Sequence, residues 1–398
     1  MRLFRYIILL GLFLNPIYSQ CDGDSNLDDS VSILDIVLII SHVLENDSLE
    51  GIALSNSDTN NDQEVDILDI IIIINIILSG NSECELKIDL SLDWEFQDDL
   101  SYFDFEGLED IMSDQIGQLN DLRGIIVIHN GKIVDENYYS IYSESSLYNV
   151  WSVTKSFTST LIGQAIDQGF IESEDISLDD LLPDYGQPYL ESLTLKNLLT
   201  MSSGYFDGFV YPQWVSATTQ QLQWMPYTFP GSFFYNNSAC HLNSHVLYYA
   251  TGMTPSEFAG INLFPYLGIE APQWFDGYND INDGSASLTL TLRDMVKLGQ
   301  LYLQNGYSGD NQILSSEWIE LATSPQIFTG SAELPNYGYL WWLFPEEGYV
   351  AVGYGGQLIA VFPERNLVIG THSYMYSSQL YLYQLLNSIY NDIAPLFE

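Results

Sequence analysis

The chain has 398 residues, of which 46% are hydrophobic and 14% aromatic, so it can bury at least one large core. It carries 53 Asp and Glu against 10 Lys and Arg, a formal net charge of −43 at pH 7. Because a field of that sign repels phosphate, the composition argues against nucleic acid and anionic membrane surfaces as partners. Calcium, cationic surfaces or a high-salt medium suit this charge balance better.

The first twenty residues predict a secretory signal peptide. Arg2 and Arg5 precede an apolar run at 7–14, which is shorter than the ~20 residues that a membrane span needs. Cleavage is expected near Ser19-Gln20, with a lipid anchor on Cys21 as the alternative. No later stretch is long and apolar enough to span a membrane. The predicted location is therefore outside the cell, at its surface or in the periplasm.

Two similar acidic segments follow, at residues 24–35 and 58–69. In both, oxygen-bearing side chains occupy positions one, three, five and twelve, which is the spacing of an EF-hand-type calcium loop. The predicted calcium ligands are Asp24, Asn26, Asp28, Asp35, Asp58, Asn60, Asp62 and Asp69, with Asp66 as an additional carboxylate in the second loop. Each loop precedes an apolar segment, at 36–44 and 70–78, for which we predict a short buried helix. The alternative is a pair of acidic surface turns between helices.

This duplicated pattern, at residues 21–84, resembles the dockerin module, which pairs two calcium-loop-and-helix repeats and binds a cohesin partner. The resemblance implies calcium as a structural ion and a cohesin-like protein as partner. It departs at loop position six, where Asp29 and Gln63 replace the glycine that a positive φ favours. Ile33-Leu34 and Ile67-Leu68 occupy positions with which dockerins meet their partners, or they pack into the module's own core.

The three cysteines fit this organisation. A disulfide between Cys21 and Cys84 would join the ends of the small module and stabilise it. Cys240 would then be a buried thiol outside any disulfide.

Residues 85–105 are predicted to be a linker or extended lead-in, and 106–398 a second domain. Its predicted helices lie near 108–119, 152–169, 195–201, 292–303, from 315 and from 378, and its predicted strands at 124–129, 132–139, 339–344, 349–352, 358–362 and 367–371. Asn130-Gly131 is a hairpin turn signal. Strands at both ends, with helices between and around them, predict an α+β domain: one antiparallel sheet flanked by helices, with a helical subdomain at 172–290.

Ser152 and Lys155 are the candidate nucleophile and base. They are three residues apart at the predicted start of a helix, so their side chains share one helical face. A hydroxyl beside an amine at a positively polarised helix N-terminus can be activated as a nucleophile. A chance Ser-x-x-Lys is common, however, so the pair needs support from the rest of the chain.

Two later segments give that support: Tyr235-x-Asn237, and Tyr354-Gly355-Gly356 before Gln357. In this order the three segments resemble those of the serine β-lactamase and penicillin-binding family, where the last opens an edge strand. The likeness, over residues 100–395, is greatest to class C β-lactamase-related esterases and aminohexanoate-dimer hydrolases. It implies the β-lactamase/transpeptidase fold and no catalytic cofactor.

The resemblance also implies roles for these residues. Ser152 would attack a carbonyl, and the backbone N–H groups of Ser152 and Gln357 would bind the oxyanion. Lys155, with its pKa lowered by burial, would accept the serine proton. Tyr235 would relay protons to the leaving group and from water, and Asn237 would orient Lys155 and the substrate. Gly355 and Gly356 would let the substrate approach the backbone.

Tyr354 departs from the family, because β-lactamases and transpeptidases carry at that place a Lys that pairs with a substrate carboxylate. Its absence favours esters or amides with a neutral acyl part. His241 and His245 share a helical face, and without a third ligand we interpret them as core or supporting residues.

The sequence thus predicts a secreted serine hydrolase of carboxylesterase or amidase type, acting through a Ser152 acyl-enzyme on a small-molecule substrate. Two alternatives remain open: a catalytically silent binding scaffold, and a β-lactamase or D,D-peptidase acting on β-lactams or cell-wall peptides.

Overall fold

The computed structural model describes residues 23–26, 30–44, 48–49, 51–60, 64–79, 87–98, 100–101, 103–114, 116, 119–182, 192–205, 229–270, 272–276 and 280–397. The chain divides into two compact units, Met1–Lys87 and Ile88–Glu398. The predicted signal peptide and the predicted disulfide of Cys21 and Cys84 lie outside the described residues. No helix within the described residues has the length and apolar character needed to cross a membrane.

In its described residues the first unit contains three helices: α1 (Ile33–Val43), α2 (Gly51–Ser57) and α3 (Ile67–Ser79). α1 begins earlier than predicted because Ser32 caps it: the Ser32 hydroxyl accepts a hydrogen bond from the Leu34 N–H, and the Asp35 carboxylate accepts one from the Ser32 N–H. The core consists of Val31, Ile39 and Ile73, with partly buried neighbours. So small a core contributes little stability by itself.

The predicted burial of these helices is wrong for much of their apolar surface. Ile33 and Leu34 are 70% and 62% exposed, and Ile67 and Leu68 are 66% and 51% exposed. The two Ile-Leu pairs therefore face outward and do not form the core of the module. Further exposed apolar residues of the same two helices are Val37, Ile40, Val43, Ile71, Ile74 and Leu78.

The second unit is built on one main sheet with helices on both faces. Its helices are α4 (Phe105–Asp114), α5 (Thr154–Asp167), α6 (Leu178–Leu181), α7 (Leu195–Leu199), α8 (Asn237–Thr251), α9 (Pro255–Asn262), α10 (Leu292–Leu303), α11 (Ser316–Thr323) and α12 (Gln379–Asn387). Its strands are β1 (Leu122–His129), β2 (Lys132–Tyr138), β3 (Tyr148–Asn149), β4 (Gln273–Trp274), β5 (Leu288–Leu290), β6 (Tyr307–Ser308), β7 (Asn311–Gln312), β8 (Ile327–Phe328), β9 (Asn336–Tyr337), β10 (Trp342–Leu343), β11 (Tyr349–Gly353), β12 (Gln357–Phe362) and β13 (Leu367–Ser373). β3, β5 and β4 form a smaller sheet, and β6 pairs with β7 in another.

Within the described part of the chain, eight strands form the main sheet in the order β2-β1-β13-β12-β11-β10-β9-β8, and all neighbouring pairs are antiparallel. This confirms the predicted antiparallel α+β fold. The first two strands form the predicted hairpin, and both turn residues, Asn130 and Gly131, have positive φ. Predicted strand 339–344 shortens to β10, because Tyr339 to Trp341 lie in a buried turn.

Alternation along the strands divides the second unit into two cores. Ile359 and Val361 of β12 face the larger core, which contains α5 and α10, whereas Leu358, Ala360 and Phe362 face the smaller core under α12. α10 packs closely against the sheet at Gly299, where the absence of a side chain leaves room: a Cβ there would lie 2.6 Å from the Ile359 side chain. The larger core therefore holds α5 in place against the sheet and α10.

The segment predicted to be a linker or lead-in belongs in its described part, from Ile88, to the second unit. Leu90 and Trp94 lie in the larger core, and the Trp94 Nε1–H donates to the Arg293 carbonyl at 3.0 Å. Around Phe96 the backbone forms a parallel bridge with Ile133. This bridge places the segment around Phe96 beside β2, at the edge of the hairpin.

Candidate active site

Ser152 lies in a single 3₁₀ turn, Trp151–Val153, that continues directly into α5. The turn starts with an unusual backbone: Trp151 has φ 49°, and its N–H donates to the Asn149 side chain at 2.7 Å. α5 is buried on all sides from Thr154 to Ala165, as expected for a helix inside a large domain. Ser152 itself is half-buried, so its hydroxyl is partly accessible at the start of a buried helix.

Lys155 is 1% exposed and has three oxygen partners. Its Nζ lies 2.8 Å from Ser152 Oγ, 2.7 Å from Asn237 Oδ1 and 2.7 Å from the Ser285 carbonyl oxygen. An ammonium has three N–H donors, and all three have an acceptor here. The structure thus brings together the predicted Ser152, Lys155 and Asn237.

Electrostatics at Lys155 differ from the expected lowered pKa. Burial lowers the pKa of Lys155, but attraction to Tyr235, Cys240 and Asp283 raises it, and the net direction is upward. The ammonium is therefore the resting form. The proton must leave Nζ before this amine can act as a base.

The Tyr235 ring lies beside Lys155, with its centroid 4.9 Å from Nζ. On its other side it stacks on Trp342, at 5.7 Å between centroids and 21° between planes. The neighbouring Asn236 caps α8: its Oδ1 accepts from the Ala239 N–H at 2.6 Å, and its Nδ2 donates to the Tyr205 carbonyl at 2.8 Å. The cap fixes the start of α8 and, with it, Tyr235 and Asn237 on either side.

Tyr354, Gly355 and Gly356 form the turn between β11 and β12. The expectation of an edge strand is wrong, because β12 lies between β11 and β13 inside the sheet. Both glycines have positive φ, and a Cβ on Gly355 would lie 2.8 Å from the Tyr374 carbonyl oxygen. Tyr354 is 47% exposed and meets Trp151 edge-on, at 5.8 Å between centroids.

Gln357 is buried and its side chain is occupied by neighbouring backbone. Its Nε2 donates to the Tyr354 and Ser373 carbonyls at 3.2 and 2.9 Å, and its Oε1 accepts from the Ser373 N–H at 2.9 Å. The side chain thus fixes the turn to β13. A contribution of Gln357 to catalysis would have to come from its backbone N–H, which is the group that the sequence predicts.

Three residues of this site were missed by the sequence. Ser285 contributes its carbonyl oxygen, Trp342 supports Tyr235, and buried Asp283 raises the pKa of Lys155. A backbone carbonyl leaves no side-chain signal, and an acidic residue in a chain with 53 of them does not attract notice. Cys240 is buried as predicted, with Sγ 4.0 Å from the Gly284 carbonyl oxygen.

His241 and His245 of α8 are both fully buried, in agreement with their interpretation as core or supporting residues. Their Nε2 atoms are 3.0 Å apart. Burial lowers the pKa of each imidazole to about 3, so both rings are neutral at physiological pH.

The acidic loops of the first unit have matching geometry. Asp35 Oδ1 accepts from the N–H groups of Ser25 and Asn26 at 2.9 and 3.0 Å, and Asp69 Oδ1 accepts from the Asn60 N–H at 3.2 Å. Asp35 and Asp69 are fully buried, and Asp24 is 1% exposed. The segment 22–79 contains no Lys or Arg that could neutralise them. Buried carboxylates with no Lys or Arg nearby in sequence fit a divalent cation.

Position five of each loop, Asp28 and Asp62, lies outside the described residues. Among the residues that are described, no three His, Cys, Asp or Glu side chains are grouped closely enough to form a metal cluster. Of the remaining predicted ligands, Asn26, Asp58, Asn60 and Asp66 lie in the described parts of the loops. The Asp66 side chain accepts from the Leu68 N–H at 2.7 Å and so caps α3.

A model of the Beta-lactamase family matches residues 115–374, most of the second unit. The chain belongs to the beta-lactamase family. A second model, the Dockerin type I domain, matches residues 22–79 and shows a dockerin module at the N-terminus. The chain is thus a beta-lactamase-fold hydrolase with a dockerin module. Dockerin type I domains as a class bind calcium and cohesin partners and occur in extracellular proteins.

Relatives of the beta-lactamase domain are distant. The 6-aminohexanoate-dimer hydrolase of Paenarthrobacter ureafaciens is 21% identical over 279 residues, which cover 61% of this chain and 70% of the relative. A Bacillus anthracis structure assigned as a 6-aminohexanoate-dimer hydrolase is 22% identical with a TM-score of 0.62, covering 78% of this chain and 89% of that one. A penicillin-binding protein from Bacillus halodurans is 20% identical with a TM-score of 0.57, covering 71% and 98%. At these identities the structures establish the fold alone.

Proposed function

We propose that the protein is a secreted serine hydrolase that cleaves an ester or amide through an acyl-enzyme on Ser152. The observation that carries the proposal is the contact of 2.8 Å between Lys155 Nζ and Ser152 Oγ, with Asn237 and Ser285 holding the amine from two other sides. A nucleophile within hydrogen-bond reach of an oriented base is the arrangement that acyl transfer requires.

The proton of Ser152 passes to the pair formed by Lys155 and Tyr235. The pair can accept this proton only in the form that holds one proton fewer than an ammonium and a phenol together, and the Tyr235 ring beside Nζ allows the two groups to share it. Ser152 Oγ then attacks the carbonyl carbon, and the leaving group departs with a proton from Tyr235. In the second half a water molecule gives a proton to the same pair and attacks the acyl carbon, and Ser152 Oγ leaves with that proton. An ester plus water thus gives an acid plus an alcohol, and an amide plus water gives an acid plus an amine.

The oxyanion is held by backbone N–H groups. In this proposal Ser152 supplies one from the start of the turn into α5, and Gln357 supplies the other from the start of β12. The end of β11 comes close to the turn that holds Ser152, since a Cβ on Gly353 would lie 2.4 Å from the Val150 carbonyl oxygen. This proximity supports the pairing of the two N–H groups. Gly355 and Gly356 leave the substrate room beside that backbone.

Tyr354 favours a substrate with a neutral acyl part. It stands where β-lactam-hydrolysing relatives carry a cation, and it meets Trp151 to form an aromatic rim beside Ser152. Such a rim contacts flat or apolar groups and offers no charge to a carboxylate. The alternative substrates, β-lactams and cell-wall peptides, carry that carboxylate.

The dockerin module attaches the enzyme to a cohesin-like partner in this proposal. Asp24, Asn26, Asp35, Asp58, Asn60, Asp66 and Asp69, together with Asp28 and Asp62, would hold calcium through oxygen atoms. The exposed Ile33-Leu34 and Ile67-Leu68 pairs would meet the partner. Calcium in this role stabilises the module and takes no part in the hydrolysis.

A fluorophosphonate probe tests the catalytic proposal. We expect the wild type to be labelled and Ser152→Ala not to be labelled. Ser156→Ala is the matched control, because Ser156 lies one turn further along α5 with its hydroxyl donating to the Leu340 carbonyl. No labelling of folded, calcium-loaded wild type would support a silent scaffold instead.

A substrate panel with the same samples separates the substrate classes. We expect p-nitrophenyl esters or small amides to be cleaved faster than nitrocefin. The reverse order would contradict the neutral-acyl proposal and favour a β-lactamase or D,D-peptidase.

A further inference from the structure

A buried carboxylate lies behind the amine of Lys155. Asp283 is 5% exposed, and its Oδ1 accepts from the Ser285 N–H at 2.8 Å and from the Ser285 hydroxyl at 2.7 Å. These two bonds fix the orientation of Ser285. Its carbonyl oxygen then points at Lys155 and accepts from Nζ at 2.7 Å.

The segment 283–285 is wedged between α5 and α8. The Trp274 Nε1–H donates to the Asp283 carbonyl at 2.9 Å, and the Thr158 hydroxyl donates to the Gly284 carbonyl at 2.9 Å. A Cβ on Gly284 would lie 2.3 Å from Ser244 Oγ and 2.9 Å from Thr158 Oγ1. A side chain at position 284 would collide with both neighbours, so the segment packs tightly between α5 and α8.

His241 of α8 contacts the same segment, and His245 contacts His241. The Gly284 N–H donates to His241 Nδ1 at 3.2 Å, so the proton of neutral His241 is on Nε2. It is donated to His245 Nε2 at 3.0 Å, which places the His245 proton on Nδ1. His241 Nδ1 is also 3.6 Å from Asp283 Oδ1. Both tautomers thus follow from one backbone N–H.

Charged and titratable groups of the described residues lie around this segment. Tyr235, Cys240 and Asp283 face Lys155, while Lys155 and His241 face Asp283. Burial raises the pKa of Asp283 and is the largest effect, so the net direction is upward, although its bonds with Ser285 and the Lys155 charge lower the pKa. Tyr235 and Cys240 affect Lys155 only when ionised, so Asp283 is the carboxylate among these groups.

We propose that Asp283 is a positioning residue for Lys155, which it serves by aiming the Ser285 carbonyl at Nζ and by placing a carboxylate close to the amine. The inference rests on the proposed function, because it assigns Asp283 to the same proton-accepting group. Asp283 acts through Ser285 and Lys155, and no contact with a substrate is needed.

Two variants separate the orientation of the Ser285 carbonyl from the charge of the Asp283 carboxylate. Asp283→Ala removes both acceptor bonds, and we expect kcat to fall about 10²-fold with KM little changed, since the amine is misplaced before chemistry. Asp283→Asn keeps an oxygen acceptor for Ser285 and removes the charge. We expect it to restore kcat to within about threefold of wild type at its own optimum.

The pH profile provides a readout that a purely structural role would not move. Loss of the Asp283 charge lowers the pKa of Lys155, so the acidic limb of kcat in Asp283→Asn should shift down by about one pH unit. Asp135→Asn is the matched control. Asp135 lies on β2, outside the groups that face Lys155, and burial raises its pKa to about 6. This control should leave the kcat profile unchanged.

The outcomes are distinct from failure of the proposed function. Unlabelled wild type would remove the hydrolase proposal itself, before any variant is compared. Labelled wild type with equal kcat in Asp283→Ala would overturn the positioning role. Equal losses in both variants without a pH shift would also overturn it, leaving Asp283 as a folding residue. If Asp283→Ala does not fold, the activity and pH profile of Asp283→Asn decide the proposal.

Discussion

Lys155 Nζ has as many oxygen partners as an ammonium has protons. When the proton leaves, the neutral amine keeps two donors for Asn237 and Ser285 and turns its lone pair to Ser152. The change from ammonium to base therefore requires no movement of heavy atoms. A site that needs no rearrangement between protonation states stabilises charge at little cost during the reaction.

At the residue scale the first prediction concerns Tyr235. Tyr235→Phe keeps the ring that stacks on Trp342 and faces Lys155, and it removes only the hydroxyl. We expect kcat/KM for an ester to fall by about 10²–10⁴-fold, the usual contribution of a positioned proton donor or acceptor. Steady-state kinetics of purified variants measure this.

Tyr337→Phe is the control for that change. Tyr337 lies in the same aromatic cluster, at 4.9 Å from Trp342 between centroids, and its ring is buried. Its loss of a hydroxyl should change kcat/KM less than about threefold. If both variants lost activity equally, packing of the cluster and not proton transfer would explain the loss.

The sequence predicts which side chains meet at this site better than it predicts the contacts and the pKa of Lys155. Spacing and order indicate Ser152, Lys155, Tyr235 and Asn237 because each contributes its own side chain to the contacts around the Lys155 amine. The orientation of Lys155 by the Ser285 carbonyl and its raised pKa depend on atoms that meet only after folding. A motif therefore gives the participants, and the tertiary structure gives their protonation state.

At the element scale, the charged pair of Arg293 and Glu136 connects α10 to β2. Arg293 of α10 donates from Nε and a terminal nitrogen to both Glu136 oxygens, at 2.8 and 2.5 Å. The Glu136 side chain is only 7% exposed and also accepts from the Tyr138 hydroxyl at 2.6 Å. Two planar groups joined by two bonds orient the helix on the edge of the sheet.

Arg293→Met should therefore be costly. It leaves a buried carboxylate without its cation, and we expect a loss of about 2–3 kcal/mol, below the range for fully buried pairs because Arg293 is 26% exposed. Urea unfolding followed by tryptophan fluorescence measures the change. Lys132→Met is the control: its 3.4 Å pair with Glu95 is 44% and 55% exposed, so its loss should cost at most about 0.5 kcal/mol. Similar shifts for both variants would mean that the Arg293 pair contributes no more than a surface contact.

Elements with local signals were predicted well. The Asn130-Gly131 turn, α10 at Leu292–Leu303 and the Ser315 cap of α11 follow from turn chemistry, periodicity and capping. β8, β9 and β10 are two residues each and carry no periodicity to detect. They are strands only because neighbouring backbone completes their hydrogen bonds.

At the scale of the whole molecule, charge is unevenly shared. The dockerin module at 22–79 has no Lys or Arg, while two of its carboxylates, Asp35 and Asp69, are fully buried. Its core of Val31, Ile39 and Ile73 is small. A module with this composition should depend on bound cations for its stability.

We therefore expect calcium to raise the melting temperature of the module in the full chain and chelator to lower it. Calcium at about 100 times its Kd adds about 2.7 kcal/mol per site. Calorimetric titration should give two sites in wild type and one in each of Asp35→Asn and Asp69→Asn, with magnesium as the control ion. A melt that calcium leaves unchanged would mean that the loops do not bind it.

The backbone at Trp151 has a consequence for attempts to make this enzyme more robust. A left-handed φ of 49° on a bulky residue costs about 1–2 kcal/mol, and a glycine there would relieve it. The same residue leads into the turn of Ser152 and forms the aromatic rim with Tyr354. Selection for heat resistance and selection for turnover would pull this position in opposite directions. Mutant libraries for either goal should keep Trp151 unchanged at first and vary it only in the last round.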